Sequence, residues 1–319
     1  MERLSTVLEF DNVEPCLISL IRTILAASKE IAFRVGQGEL AGVLGSTMDE
    51  NIQGEVQKKL DVLANQLLKD MLLADKSVKA IASEEEDTVV AGNESGKYAV
   101  AFDPLDGSSN IEVGGQIGTI FTIFHAIQDE SVDSEAHFKQ VGTKQLCAGY
   151  VLYGASTLLV LTTGGPSRGF TLDKTTGSFL LTTPKYVMPY SSNEVAVNMS
   201  NYPFWEVNVQ RYFSDTILKP NLSDGMNLRW NAAMVGDIHK VLTRGGVFYY
   251  PKDSREGMDN GKLRLLYEAL PMAFIVEQAG GEAIGEKRLI TMAAVSLHQR
   301  VPCAIGCKRQ VSDFFSYDN

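Results

Sequence analysis

The chain has 319 residues, 45% of them hydrophobic, and a formal net charge of −10. This length is sufficient for one large domain or two moderate ones, and the hydrophobic content can fill a substantial core. The acidic balance argues against nucleic-acid and anionic-membrane partners, because both require a basic patch, and no apolar run reaches the length of a membrane span.

The cysteines and the N-terminus indicate a compartment. Four cysteines without Cys-x-x-Cys spacing argue against both a disulfide framework and a zinc ribbon. The N-terminus lacks the basic-then-apolar order of a secretory signal. The predicted location is therefore a reducing cytoplasm.

Two stretches near the N-terminus repeat apolar side chains at helical spacing. Residues 14–35 predict an amphipathic helix, and the stretch from Val56 to Met71 predicts a second one. The segment between them, 36–54, is rich in Gly, Ser, Asn and Asp and predicts a loop. Such loops often carry the moving parts of a site.

Two short apolar runs, 78–82 and 98–102, predict neighbouring strands, and carboxylates follow both. The first run leads into Ser83-Glu84-Glu85-Glu86-Asp87. The second leads into Asp103-Pro104-Leu105-Asp106, where Pro104 is expected to end the strand. A type I turn would then fold Asp103 and Asp106 towards the same side. Because α/β proteins place their sites at strand ends, the two acidic groups are expected to meet, with a plain acidic turn as the alternative.

The residues after this turn have the chemistry of a helix start. Gly107 is conformationally permissive, and Ser108, Ser109 and Asn110 are good capping residues. Free backbone N–H groups at such a start attract anions. A cation and a phosphate are therefore expected to meet here.

The rest of the chain alternates between strand and helix patterns. Apolar, β-branched runs at 117–127, 146–153 and 157–163 predict strands that continue the same sheet. Later segments predict shorter strands within 166–192, a helix between Pro203 and Pro220, strands at Glu194–Asn198 and Gly246–Tyr250, and helices at Ala232–Thr243 and Lys262–Ala279. This order argues for layered sheets and helices, with a subdomain boundary near 190 that divides the chain into 1–190 and 191–319.

Two further acids have ordinary explanations when they are read alone. Asp61 lies at the flank of the second helix's apolar stripe, where an ion pair with Lys58 or Lys59 is the default. Glu268 would most often belong to the polar face of an amphipathic helix. Only their surrounding motifs favour a role in a site.

Several ordered motifs resemble those of the class I fructose-1,6-bisphosphatases, members of the lithium-sensitive, magnesium-dependent phosphatase superfamily. The motifs are the two acidic segments above, Asn51-Ile52-Gln53-Gly54-Glu55, Lys58-Lys59-Leu60-Asp61, Gly118-Thr119-Ile120-Phe121, Ala148-Gly149-Tyr150-Val151-Leu152-Tyr153-Gly154 and Gly261-Lys262-Leu263-Arg264-Leu265-Leu266-Tyr267-Glu268. The resemblance implies a five-layer αβαβα fold. It also implies hydrolysis of the 1-phosphate of fructose 1,6-bisphosphate, as in gluconeogenesis or the Calvin cycle.

The same resemblance implies a set of roles around the metal. Metal ligands would be Glu84, Asp103, Asp106 and Glu268, the backbone carbonyl of Leu105, and Glu55 from the loop. Hard oxygen ligands without histidine favour Mg²⁺, with Mn²⁺ as a substitute, over zinc, and the resemblance implies two or three such ions. Asp61 and Glu85 would orient and deprotonate the attacking water.

The resemblance further implies how both phosphates are bound. N–H groups of Gly107, Ser108 and Ser109 would hold the phosphate that is cleaved, with charge from Arg264. The other phosphate would be held by Asn198, Tyr202, Arg229, Tyr250 and Lys262. Arg229 would come from a neighbouring subunit, which implies a homo-oligomer, expected to be a tetramer. Trp230 stands where many family members have tyrosine, so its hydrogen-bond donor is displaced.

Two alternatives to the fructose enzyme stay open. Sedoheptulose 1,7-bisphosphate presents its phosphates in a similar way, so the chain is also compatible with an enzyme for that sugar or for both. A silent sugar-phosphate sensor would keep the fold without turnover, although every expected carboxylate is present. An inositol monophosphatase is disfavoured because no Trp-Asp motif occurs at Trp205 or Trp230. The Thr-Gly-Glu-Leu-Thr segment of AMP-inhibited relatives is absent, which puts AMP regulation in doubt.

Overall fold

The computed structural model describes residues 1–42, 45–50, 56–218 and 225–317. The helices are α1 (Leu4–Phe10), α2 (Pro15–Gln37), α3 (Lys59–Ala74), α4 (Val207–Phe213), α5 (Met234–Arg244), α6 (Leu270–Gln278) and α7 (Lys308–Ser316). The first strands are β1 (Ser46–Glu50), β2 (Val56–Lys58), β3 (Val78–Ser83), β4 (Val90–Ala91), β5 (Tyr98–Asp106), β6 (Ile117–His125), β7 (Cys147–Tyr153), β8 (Thr157–Thr162), β9 (Arg168–Asp173) and β10 (Ser178–Thr183). The later strands are β11 (Glu194–Ala196), β12 (Asn227–Leu228), β13 (Val247–Tyr250), β14 (Leu263–Arg264), β15 (Glu282–Ile284), β16 (Arg300–Val301) and β17 (Cys303–Gly306).

Two sheets organise the chain. The larger has eight strands in the order β10-β9-β8-β7-β6-β5-β3-β4, and the smaller has five in the order β12-β11-β13-β17-β15. In the larger sheet β3 and β5 run parallel, whereas β5, β6, β7 and β8 pair antiparallel with one another. The ends of β3 and β5 therefore lie side by side at one edge, which is where the two acidic segments begin.

Helices cover both faces of both sheets. One cluster of buried apolar side chains joins α1, α2 and α3 to one face of the larger sheet. A second cluster joins its opposite face to α5, α6 and the smaller sheet, and a third joins the outer face of the smaller sheet to α4 and α7. Burial of apolar surface on every face stabilises this stack. The arrangement confirms the five-layer αβαβα fold.

The predicted strands of the larger sheet are confirmed, but Pro104 does not end β5. The strand continues to Asp106, and its pairing with β6 shifts between Asp103 opposite Ile120 and Asp106 opposite Gly118. Two residues of β5 therefore face one residue of β6, which is a β-bulge. Proline is tolerated in a bulge because no regular ladder bond needs its missing N–H, and Thr119 Oγ1 donates to the Pro104 carbonyl over 2.9 Å.

The second predicted helix begins later than its apolar pattern suggests. Val56 belongs to β2, which pairs with β1 inside the segment predicted as a loop. Lys58 is extended, and its N–H donates to Asp61 Oδ2 over 3.1 Å, so that Asp61 caps the helix from its first turn. The helix therefore begins at Lys59.

The helix predicted over Lys262–Ala279 is also divided. It contains strand β14, one π-helical turn at Leu265–Ala269 and then α6. β14 pairs antiparallel with β16, which holds the start of the segment in an extended conformation. Pairing with a distant strand overrides the local helical pattern here.

Candidate active site

The bulge in β5 brings two carboxylates to the same side of the sheet. In a regular strand, residues three apart point to opposite faces, and the additional residue of a bulge reverses this. Carboxylate oxygens of Asp103, Asp106 and Glu268 lie within 4.8 Å of one another, and all three side chains are buried. The expected convergence thus arises from a bulge and not from a type I turn.

Glu268 reaches this cluster from the π-helical turn. Its side chain is 4% exposed, so the polar-face interpretation is wrong. The backbone N–H of Arg264 donates to Glu268 Oε2 over 2.6 Å. The wider turn and this hydrogen bond aim the carboxylate inward.

Glu84 lies directly after β3 and extends the strand pairing, since its N–H donates to the Phe102 carbonyl over 3.1 Å. Its carboxylate forms an ion pair of 2.9 Å with the Arg264 guanidinium, and both side chains are less than 10% exposed. A buried pair of this kind fixes both partners, because removing either one would leave an uncompensated charge.

Asp61 enters the same region from the first turn of α3. Its side chain is buried and accepts the Lys58 N–H described above. The Lys58 ammonium instead pairs with Glu112 over 2.7 Å. Lys58 therefore hydrogen-bonds to Asp61 through its backbone N–H, whereas its ammonium forms its ion pair with Glu112.

Burial and mutual repulsion raise the pKa values of these acids strongly. Burial raises the pKa of Asp106 to about 7 and that of Glu268 to about 8, and the Glu84 charge adds to both shifts. Burial, followed by the Glu84 charge, also raises the pKa of Asp103 well above its usual value. For Asp61, burial and the charges of neighbouring acids raise the pKa to about 7. Buried anions at this density require protons or a cation.

The donor set suits a hard divalent cation. The converging groups are carboxylates, and Mg²⁺ and Mn²⁺ prefer oxygen ligands of this type. A bound divalent ion would also neutralise the charge that raises the pKa values of these acids. The residues present therefore fit the metal that the sequence implies.

These acids line a cleft of about 370 Å³ whose wall includes residues of both sheets. The predicted site residues in its wall are Asp61, Glu84, Glu85, Asp103, Leu105, Asp106, Gly107, Ser108, Ser109, Asn198, Trp230, Tyr250, Lys262, Arg264 and Glu268. Both sheets and the helices between them contribute to this wall, so the fold assembles the site from distant parts of the chain.

The turn at Gly107 is shaped by a left-handed glycine. Gly107 has φ +80°, and a Cβ built there would lie 2.4 Å from the Ala233 Cβ, so glycine is required twice over. A 3₁₀ turn, Ser108–Asn110, follows. The first N–H groups of such a turn have no partner within it and can bind an anion.

The same cleft wall also contains the second group of predicted residues. Asn198 accepts the N–H and the hydroxyl of Ser200 through Oδ1 over 3.1 and 2.6 Å, and its amide NH₂ group is a donor suited to an anion. Trp230 stacks on Phe248 with ring centroids 6.0 Å apart. Lys262 is exposed, so its ammonium can reach a ligand.

Two predicted residues within the described part of the chain, Tyr202 and Arg229, are not in this wall. Glu55 lies outside the described residues. Tyr202 packs edge-on against Trp205 with ring centroids 5.9 Å apart. Arg229 is exposed, and its backbone carbonyl accepts the Lys240 ammonium over 2.7 Å.

Four wall residues were not predicted: Ala232, Met234, Phe248 and Leu263. Strand alternation offered one signal, because Phe248 lies two residues before Tyr250 and therefore faces the same side. The sequence does not predict the position of Ala232, because its φ of +60° is unusual for alanine. The N-terminus of α5 nevertheless contacts the acids directly, as Val235 N–H donates to Asp106 Oδ2 over 2.7 Å.

No helix in the described part of the chain is both long enough and apolar enough to cross a bilayer.

The chain matches the family model "Fructose-1-6-bisphosphatase, N-terminal domain" over residues 4–184 and the model "Fructose-1-6-bisphosphatase, C-terminal domain" over residues 188–319. Between them these two models account for almost the whole chain.

Individual relatives agree with the family models. A fructose-1,6-bisphosphatase class 1 of Pseudoalteromonas translucida is 61% identical, with 96% of this chain and 94% of that protein covered. The class 1 enzyme of Cellvibrio japonicus is 59% identical, with 99% of both chains covered. The crystal structure of Leishmania major fructose-1,6-bisphosphatase in holo form superposes with a TM-score of 0.94 at 37% identity, covering 99% of this chain and 98% of that one. The chain belongs to the fructose-1,6-bisphosphatase family.

Proposed function

We propose that this protein hydrolyses the 1-phosphate of D-fructose 1,6-bisphosphate to fructose 6-phosphate and inorganic phosphate (EC 3.1.3.11), in gluconeogenesis or the Calvin cycle. The observation that carries the proposal is the set of three buried carboxylates, within 4.8 Å of one another, beside the anion-binding turn at Gly107. The relatives at 59–61% identity are named for this substrate. The cleft wall also offers further donors in Asn198, Tyr250 and Lys262, as a substrate with two phosphates requires.

The acidic end of the cleft is proposed to hold two or three Mg²⁺ ions, which Mn²⁺ can replace. Side chains of Glu84, Asp103, Asp106 and Glu268, the Leu105 carbonyl and Glu55 would hold them. When bound, such ions neutralise phosphoryl oxygens and lower the pKa of water. The backbone N–H groups of Gly107, Ser108 and Ser109 would orient the phosphate that is cleaved, with the Arg264 charge nearby.

Proton transfer is proposed to involve Asp61 together with Glu85. Both line the cleft beside the buried acids. A carboxylate whose pKa is raised to about 7 is suited to accept a proton from water near neutral pH. Asp61 is fixed for this purpose by the N–H that it accepts from Lys58.

The second phosphate is proposed to bind Asn198, Tyr202, Tyr250 and Lys262, with Trp230 beside them. Arg229 would complete this site from a neighbouring subunit of a homotetramer, in keeping with its exposure on a single chain. The segment 1–190 would then supply most of the metal ligands, and 191–319 would supply Glu268 and the residues that hold the second phosphate, in a cytoplasmic enzyme.

Phosphate release from fructose 1,6-bisphosphate, measured with Mg²⁺ and with a chelator, tests the proposal. We expect release that depends on Mg²⁺ or Mn²⁺. Faster turnover of sedoheptulose 1,7-bisphosphate would favour the alternative sugar. Binding of either bisphosphate without any phosphate release would indicate a sensor and overturn the enzymatic proposal.

A further inference from the structure

One face of α3 connects the catalytic acids to each other. Asp61, Asn65 and Lys69 are four residues apart and therefore lie along the same face of the helix. Asp61 enters the cleft, whereas Asn65 and Lys69 contact the acidic segment that follows β3. The helix thus touches both sides of the proposed proton-transfer pair.

The contacts of Asn65 form a continuous network. Asn65 Oδ1 accepts the Ser83 hydroxyl over 2.7 Å, and Asn65 Nδ2 donates to Glu86 Oε1 over 2.8 Å. The Ser83 hydroxyl oxygen in turn accepts the Glu85 N–H over 3.3 Å. One amide therefore bridges the first and last residues of the segment from Ser83 to Glu86.

Glu86 is held from two directions. Its Oε1 also accepts the Lys69 ammonium, at 2.5 Å. Its backbone carbonyl lies 3.0 Å from His298 Nε2. Glu86 does not line the cleft, so in the run of three glutamates this one serves as an attachment point.

Because these groups are buried, each one depends on its hydrogen-bond partner within the protein. Ser83 is fully buried and Asn65 is 8% exposed, so water cannot readily replace a lost partner. A buried polar group without its partner is costly, and the chain between Ser83 and Glu86 would relax to satisfy it. Glu84 and Glu85 lie on that piece of chain and would move with it.

We propose that Asn65 and Lys69 are positioning residues that hold Glu84 and Glu85 in register with Asp61. The three acids then share one rigid frame, because α3 supports Asp61 directly and the other two through Ser83 and Glu86. This inference rests on the proposed function, in which Glu84 binds metal and Asp61 acts with Glu85 on water. It adds two residues that touch neither substrate nor metal.

The test compares Asn65→Ala and Lys69→Ala with Lys69→Arg, which can keep the ion pair, and with Gln66→Ala. Gln66 is exposed on the same helix and donates to Asp70 over 2.7 Å, so its substitution removes a local hydrogen bond away from the site. Steady-state kcat and KM, Mn²⁺ affinity by calorimetry and the thermal midpoint are measured for each full-length variant.

We expect Asn65→Ala to lower kcat and Mn²⁺ affinity by about 10- to 100-fold, as is typical for supports of metal ligands. The KM for the bisphosphate should change by less than about twofold, because the residues proposed to hold the second phosphate are untouched. Lys69→Ala should show the same pattern more weakly, whereas Lys69→Arg and Gln66→Ala should resemble the wild type.

Equal kcat and Mn²⁺ affinity in Asn65→Ala and Gln66→Ala would overturn the inference. If Asn65→Ala does not fold, the comparison of Lys69→Ala with Lys69→Arg tests the inference instead. Weaker Mn²⁺ binding by Lys69→Ala than by Lys69→Arg supports the inference, and equal binding refutes it. If the wild-type protein binds Mn²⁺ but hydrolyses neither bisphosphate, the proposed function is refuted. The Mn²⁺ affinities of the variants still test the inference about Asn65 and Lys69 in that case.

Discussion

Removing divalent ions should make the stability of this protein fall as the pH rises. Asp106 is buried, and this burial raises its pKa to about 7 from an ordinary value of 3.8. A group whose pKa is raised by folding stabilises the folded state below its unfolded pKa, and this contribution disappears as the pH rises through the folded value. The metal-free protein should therefore be more stable at pH 5 than at pH 8.

The size of the effect follows from the shift. Each pH unit between the two pKa values changes the free energy of unfolding by about 1.4 kcal/mol per group. For Asp106 alone, the interval from pH 5 to its folded pKa gives about 3 kcal/mol. Glu268, with a pKa of about 8, acts in the same direction. At about 2 °C per kcal/mol for a chain of this size, the thermal midpoint should fall by about 6 °C or more.

Thermal unfolding in EDTA at pH 5, 6, 7 and 8 measures this directly, with a parallel series in excess Mg²⁺. Bound Mg²⁺ should remove most of the slope by stabilising the ionised acids. Asp106→Asn should reduce the slope of the EDTA series, with the remainder coming from Glu268, while Asp129→Asn, at an exposed acid, should leave it unchanged. The reasoning would be refuted if the thermal midpoint of the wild-type protein in EDTA stayed level or rose from pH 5 to pH 8, with the same pH dependence as that of Asp106→Asn.

Three further substitutions test the proposed roles. Asp103→Asn should lower kcat by at least about 100-fold by weakening a metal ligand, with an unchanged circular dichroism spectrum; near-normal turnover would contradict this role. Asp61→Asn should lower kcat by about 10²- to 10⁴-fold and abolish the acid limb near pH 7; a pH–rate profile of unchanged shape would exclude Asp61 as the base. Arg229→Ala should raise KM by about tenfold or more, the usual value of a charged hydrogen bond, with kcat nearly constant; an unaltered KM would argue against a shared site.

The sequence predicts best where local pattern and final structure agree. The apolar spacing of 14–35 corresponds to α2, and the β-branched runs correspond to β6, β7 and β8. These elements pack apolar faces that can be read from periodicity alone. The five layers, by contrast, followed from family resemblance, because local patterns do not specify which faces stack.

The site was harder to predict because distant pairing shapes it. Whether Pro104 ends a strand depends on Thr119, fifteen residues away, which accommodates the bulge and binds its carbonyl. Glu268 turns inward because β14 pairs with β16 and a π-helical turn follows. Neither the bulge at Pro104 nor the inward orientation of Glu268 can be recognised from the adjacent residues in the sequence.

The bulge in β5 also limits how this protein can change its length. Inserting one residue beside Thr119 in β6 would restore regular pairing and send one of the two acids to the opposite face of the sheet, because they are three residues apart. Point substitutions at Pro104 or Leu105 keep the residue count and so preserve the orientation of both acids. Anyone who transplants this centre onto another sheet must therefore copy the irregular backbone together with the side chains.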